Sequence, residues 1–321
     1  MKTEVKNSAT TARTSRRSAL TIMLRLVGLV RPLAGFMILA ILMGVLGNLA
    51  ATFISVFGAY ALLSAMGFAS SSPMVLLFGG MLLFALVRGL LRYAEQECNH
   101  FIAFKLLALI RDRVFTALRK LAPAKLEVKN KGNLMSVITS DIELLEVFYA
   151  HTISPICIAV VFCIVMVWFI AGTANWILGV IALVSYLVVG VAILLAMSER
   201  SEQDSAEARD LAGKLSTVTL DNLRGLDEIL QYNTGAQMIE ETSQLADQLS
   251  DRQQAVKKAF GVNDAVTSTV ILAATLVMFF SSFYLAYHQQ ILMNEAFIVT
   301  IALMSSFGPV VALAALGTTL T

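Results

Sequence analysis

The chain is short of charge. Asp, Glu, Lys and Arg make up 14% of its 321 residues, against 57% hydrophobic residues. A soluble globular protein carries roughly 25% charged residues. With a mean hydropathy of +0.76, the membrane class leads before any motif is read. Cysteine is scarce too. Cys98, Cys157 and Cys163 form no CxxC pair, so neither a disulfide framework nor a zinc site is signalled. A net charge of +2 gives no reason to expect a nucleic-acid partner. No G-x-x-x-x-G-K-[ST] loop occurs, so nothing in the sequence can cradle a nucleotide's phosphates. On this ground the chain alone is not expected to be an ATPase.

What is present is apolar and interrupted. A membrane span needs about 20 apolar residues. Six stretches qualify, at about 33–66, 73–94, 153–170, 174–197, 265–287 and 295–321. Residues 1–17 read as a disordered tail. Residues 18–32, with Arg25 and Arg31 among leucines and valines, read as a helix lying in the membrane interface. The connections differ in kind. Those after the first, third and fifth spans are short and hold no Lys or Arg, whereas 95–152 and 198–264 are long and charged. No Lys or Arg follows Lys258. By the positive-inside rule the amino terminus and both long connections are expected in the cytoplasm.

The long connections keep a helical pattern. Phe101, Phe104, Leu107, Leu109 and Ile110 are expected on one face. No Gly or Pro interrupts Arg92 to Leu121, so residues 73–121 are expected to form one helix. Each connection then has two helical legs and a reversal bracketed by breakers, Pro123 and Gly132 in the first and Gly225 and Gly235 in the second. A reversal of this kind is a contact point for a cytoplasmic partner, with rigid helices leading from it to the membrane.

Four stretches carry a family resemblance. "GNLMSVITSDIELL" resembles the segment after the first coupling helix of ABC exporters, matching at Gly132, Leu134 and Asp141. Asn133 and Val137 stand where the family usually has an acid and an arginine. "DNLRGLDEILQY" resembles the second coupling helix, and Phe307-Gly308-Pro309 the Gly-Pro point of the sixth helix. The stretch from Arg92 to Glu127 is similar to the branch that exports thiols, cysteine and glutathione, for cytochrome bd assembly. Its matches are Arg92-Tyr93, Glu95, His100, Phe104, Leu107 to Arg111 and Pro123-Ala124. The resemblance implies an all-α, six-helix ABC exporter transmembrane domain in a domain-swapped dimer in the cytoplasmic membrane. It implies a second exporter subunit, identical or different, and nucleotide-binding domains that supply ATP-Mg. The family would place such a domain after the sixth helix, so a truncated or split transporter gene, or an excised domain, is expected.

The resemblance also assigns sites. The coupling helices are expected at Pro123, Ala124, Lys125, Leu126, Glu127 and Gly132, and at Asp221, Leu223, Arg224, Gly225 and Leu226. A substrate cavity is expected at Asn48, Thr52, Arg88, Arg92 and Glu95. Charge within a span is costly and functional by default, but headgroup snorkelling of Arg88 and Arg92, with pairing to Glu95, is the favoured alternative, and Asn48 and Thr52 are read first as helix glue. His100 is a haem-ligand candidate through the thiol-exporter branch, weighed against a plain boundary histidine. The competing function is a membrane scaffold or non-transporting remnant.

Overall fold

The structure is a computed structural model. It describes residues 33–68, 73–121 and 153–319, with the side chains of 121, 191–203 and 314–319 left aside. The described residues are helical, joined by turns. The elements are α1 (Ala34–Ala65), α2 (Met74–Leu121), α3 (Ser154–Thr173), α4 (Trp176–Leu187), a π-helix (Val188–Ala192), α5 (Ile193–Arg224), α6 (Leu226–Gln231), α7 (Gly235–Tyr287), α8 (Met293–Ser305) and α9 (Gly308–Thr319). Five helical stretches are long and apolar enough to cross a membrane, and Trp176–Gly190 is a shorter apolar helix. With several apolar helices of this length among the described residues, the protein is a multi-pass membrane protein. The fourth expected span is not a uniform α-helix. It passes from α4 through the π-helix into α5.

Local chemistry sets the ends. Asn175 caps α4 by accepting from the Ile177 amide at 3.0 Å, as an N-cap side chain does. The Glu295 carboxylate accepts from the Leu292 amide at 2.9 Å at the start of α8. Pro309 cannot donate to a continuing helix, and the sixth span breaks at Ser306 and Phe307 before α9.

The chain divides into two compact units, Met1–Ala40 with Glu97–Ala150, and Ile41–Gln96 with His151–Thr321. In the first, Phe36 packs on Phe101 with ring centroids 4.7 Å apart. The buried stripe of α2 in this unit is Asn99, Ile102, Ala103 and Leu106. This corrects the expected face, since Phe101 and Phe104 are exposed. Apolar residues surround the helix here, so periodicity alone did not choose which of them face inward.

The second unit holds the main core. Phe162, Met166 and Ile170 of α3 meet Leu178, Ala182 and Tyr186 of α4, Met278 and Leu285 of α7, and Ile298, Val299 and Leu303 of α8. Thr300 and Ser282 are buried in it, their hydroxyls 3.2 Å apart between α8 and α7. Hydroxyls within lipid need internal partners, and this pair supplies them. At 1.5 Å per residue, the 53 residues of α7 extend about 80 Å, against a hydrocarbon core of about 30 Å. Most of its polar part, from Gly235 onward, lies outside the membrane.

Candidate functional site

The first site is the reversal between α5 and α7. The two helices pack side by side beyond their apolar parts. Arg252 Nε lies 3.2 Å from Glu207 Oε2, and Asn222 Nδ2 donates to Thr242 Oγ1 at 3.2 Å. Between them is a groove of about 580 Å³ lined by Glu207, Asp210, Leu211, Gln248, Asp251 and Arg252. Charged walls of that kind hold water rather than packed side chains.

The tip is different. Asp221, Leu223 and Arg224 form the last turn of α5, Gly225 precedes α6, and Leu226 opens it. The short helix at the tip is thus Leu226–Gln231, displaced toward the carboxyl side of the expected 221–226. Gly225 does not make the reversal, because its φ is −93°. Asn233 does, with φ 54°, a left-handed conformation that Asn tolerates better than other side-chain-bearing residues. The signal for it in the sequence is Asn-Thr-Gly, Asn233 to Gly235. A Cβ on Gly225 would stand 3.3 Å from the Asp221 carbonyl oxygen, so the backbone is already close there. Leu223, Leu230 and Tyr232 are 65%, 70% and 74% exposed, and Leu220, Leu226 and Ile239 are exposed beside them. These apolar side chains lie at the tip of helices far longer than a span requires. Pro123, Ala124, Lys125, Leu126, Glu127 and Gly132 of the first expected coupling helix lie outside the described residues, as do Leu134 and Asp141.

The second site is a polar patch on α1 and α2. Arg92 Nη1 donates to Glu95 Oε2 at 2.8 Å. The pair is lopsided, with the arginine side chain 62% exposed and the glutamate 5%. Glu95 is buried against Gly44 of α1. A Cβ there would lie 3.1 Å from Glu95 Cδ and would overlap Ile158 of α3. Gly44 is thus the notch that admits both side chains, a role its position beside Asn48 did not disclose. Asn48 Nδ2 donates to the Gly44 carbonyl at 2.8 Å, and Thr52 Oγ1 to the Asn48 carbonyl at 3.2 Å. Both are satisfied along their own helix, as helix-packing polar residues are. Arg88 is exposed.

His100 is exposed, and its ring stacks on Phe104 with centroids 6.1 Å apart. Among the described residues no group of three or more His, Cys, Asp or Glu side chains is gathered. One exposed imidazole is a poor fit to a haem site, which needs an enclosing pocket and axial ligation.

Two long helices, α5 and α7, pack side by side and join through the short helix α6 at their tip. A family model described as the ABC transporter transmembrane region matches residues 37–310. The chain belongs to this family. It is 37% identical over 305 residues to a probable ABC transporter ATP-binding/permease protein of Haemophilus influenzae, covering 95% of this chain and 55% of that protein. The glutathione/L-cysteine transport system ATP-binding/permease protein of the same organism is more distant, 23% identical over 65% of this chain and 36% of its own length. An ATP-dependent lipid A-core flippase of Pectobacterium atrosepticum is 27% identical over 68% and 38%. The chain thus spans about half the length of the first of these relatives and under two fifths of the other two.

Proposed function

We propose that the chain is the membrane-spanning permease part of an ATP-driven exporter, working by alternating access. The observation that carries this is the exposed leucine and tyrosine cluster at the α5–α6–α7 tip, held by two helices that run into the membrane. It offers an apolar contact to a nucleotide-binding domain, and the helices transmit its displacement. ATP stabilises one access state relative to the other through its differential affinity. A second subunit completes the cavity, and the amino terminus and long connections face the cytoplasm.

The substrate is small: a thiol, an amino-acid-like molecule or an amphiphile. Arg88, Arg92 and Glu95 are its polar contacts, with Asn48 and Thr52 behind them. The resemblance of Arg92 to Glu127 to thiol exporters favours the first class, and the similarity to a glutathione/L-cysteine system is in keeping with it. The test is transport in proteoliposomes that hold this chain together with nucleotide-binding domains. ATP-dependent movement of cysteine or glutathione supports the reading. No ATP-dependent movement of thiols, amino acids or lipids makes the chain a scaffold instead. For orientation, a cysteine at Asn175 should react with an impermeant thiol reagent added to intact cells, and one at Asn233 should not.

A further inference from the structure

Two irregular points in the spans face each other. The fourth span widens into a π-helix at Val188–Ala192, and the sixth breaks at Ser306 and Phe307. π-turns are rare and cluster at functional sites. Here the two defects touch. Tyr186, just ahead of the π-helix, has its hydroxyl 2.5 Å from Ser306 Oγ, and its ring lies edge-on to Phe307 with centroids 5.5 Å apart. Gly190, inside the π-helix, lies so close to α9 that a Cβ there would stand 3.1 Å from Val310 Cγ1. Val189, Ser306, Phe307 and Val310 are all buried.

The hydrogen bonds have one consistent direction. Ser306 Oγ donates to the Leu303 carbonyl at 2.7 Å, and a hydroxyl has a single proton. Tyr186 therefore donates to Ser306. Ser306 satisfies the Leu303 carbonyl with both its hydroxyl and its amide, at 3.1 Å for the amide, where α8 stops, and Tyr186 in turn donates to the Ser306 hydroxyl. Fourth-span chemistry thus stabilises the sixth-span break. The π-helix also has a mechanical consequence. Converting it to α-helix removes one residue from a turn, and α-helical residues are set about 100° apart. The α5 leg would then rotate by about that angle relative to Tyr186.

We propose that the π-helix of the fourth span and the break of the sixth form one paired joint, latched by the Tyr186–Ser306 hydrogen bond, that sets the balance between the two access states. The latched arrangement keeps the π-turn and the break together. Release lets the α5 leg rotate as the sixth span re-forms, so motion at the tip reaches two spans at once. This rests on the exporter reading above, and the experiment separates the two.

The transporter is assembled with its nucleotide-binding domains in proteoliposomes and spin-labelled at Ala212 on α5 and Met304 on α8. Pulsed electron resonance then gives the ratio of distance populations with and without ATP and vanadate. Tyr186→Phe and Ser306→Ala should each change the nucleotide-free ratio about fivefold in the same direction, the scale of one hydrogen bond. The double variant should change it no further, because the two act as one contact. Gly190→Ala, which keeps both hydroxyls, should move the ratio the same way by pressing on Val310. If the wild type responds to ATP but these variants leave the ratio unaltered, or the effects of Tyr186→Phe and Ser306→Ala add, the joint is wrong and the exporter reading stands. If the wild type does not respond to ATP, the exporter reading fails and the joint falls with it.

Discussion

The helix α7 is held at its two ends by different physics. Toward Tyr287 it packs into the apolar core, with Met278 fully buried against its neighbours. Toward Gly235 it runs beside α5, joined by a half-exposed ion pair and one side-chain hydrogen bond around a charged groove. Burial of a core side chain is worth about 1.5–3 kcal/mol, whereas an exposed ion pair contributes roughly 0–1 kcal/mol. The membrane end is therefore firmly packed and the other end loosely tied. A device that receives motion at its tip and delivers it to a packed bundle needs that gradient. The leucines divide the same way: the apolar spans carry exposed leucines along their length, while at the tip Leu223 and Leu230 are exposed beside charged residues.

Substitutions at the two ends should differ accordingly. The largest effect is expected in the core. Phe162, fully buried among α3 neighbours and the facing helices, should cost about 3–5 kcal/mol when changed to Ala, read as a fall in detergent melting temperature and in folded yield. A melt within a degree or two of wild type would mean the bundle does not depend on this packing. Gly44→Val comes next. Its side chain would overlap Ile158 and crowd Glu95, an overpacking cost of about 1–3 kcal/mol. Glu95→Ala in the Gly44→Val background should recover part of the loss by vacating the notch.

Much of this division is legible in sequence, and the failures are instructive. Hydrophobic runs pointed to the apolar helices, because the cost of unpaired charge in lipid is large and local. The sixth-span break was marked in sequence only by the resemblance of Phe307-Gly308-Pro309 to the family's Gly-Pro point, while the span itself was expected to run on over 295–321. The π-helix was not marked at all. "VVGVA" reads as ordinary apolar helix, and the close approach of Gly190 to Val310 of α9 is a tertiary fact. The position of α6 was missed for a related reason. Gly225 invites a turn but stays at negative φ, while Asn233 takes the left-handed conformation. For Glu95 the charge was legible but its burial was not, because that depends on Gly44 of another helix.

The tip should respond in function and not in folding. Leu223→Ser combined with Leu230→Ser removes two exposed apolar contacts, and interface anchors commonly cost more than 1 kcal/mol each when truncated. In the assembly with nucleotide-binding domains, substrate-stimulated ATPase should fall tenfold or more. The melting temperature should stay where it was, since neither side chain packs in this chain's core. Equal ATPase in variant and wild type would move the docking contact elsewhere on the legs. A melt that drops with activity would mean the leucines serve folding.

The smallest effect is expected at the ion pair between the legs, and it tests the gradient most directly. Glu207 and Arg252 have side chains 58% and 50% exposed, with 3.2 Å between their charged atoms. Exposed pairs of this geometry are worth about 0.2–1 kcal/mol and are screened by salt. Arg252→Gln should therefore lower the melting temperature by no more than a degree or two, and raising the salt from 50 mM to 1 M should narrow the difference. The informative readout is local. Amide hydrogen exchange along Glu240 to Arg252 should quicken, because a loosely tied helix pair opens without unfolding the bundle, while exchange along Val270 to Leu285 should not change. Equal quickening in both segments would show that α7 opens as a single unit. The contrast between a packed end and a tethered end would then describe the distribution of side chains without describing how the helix moves.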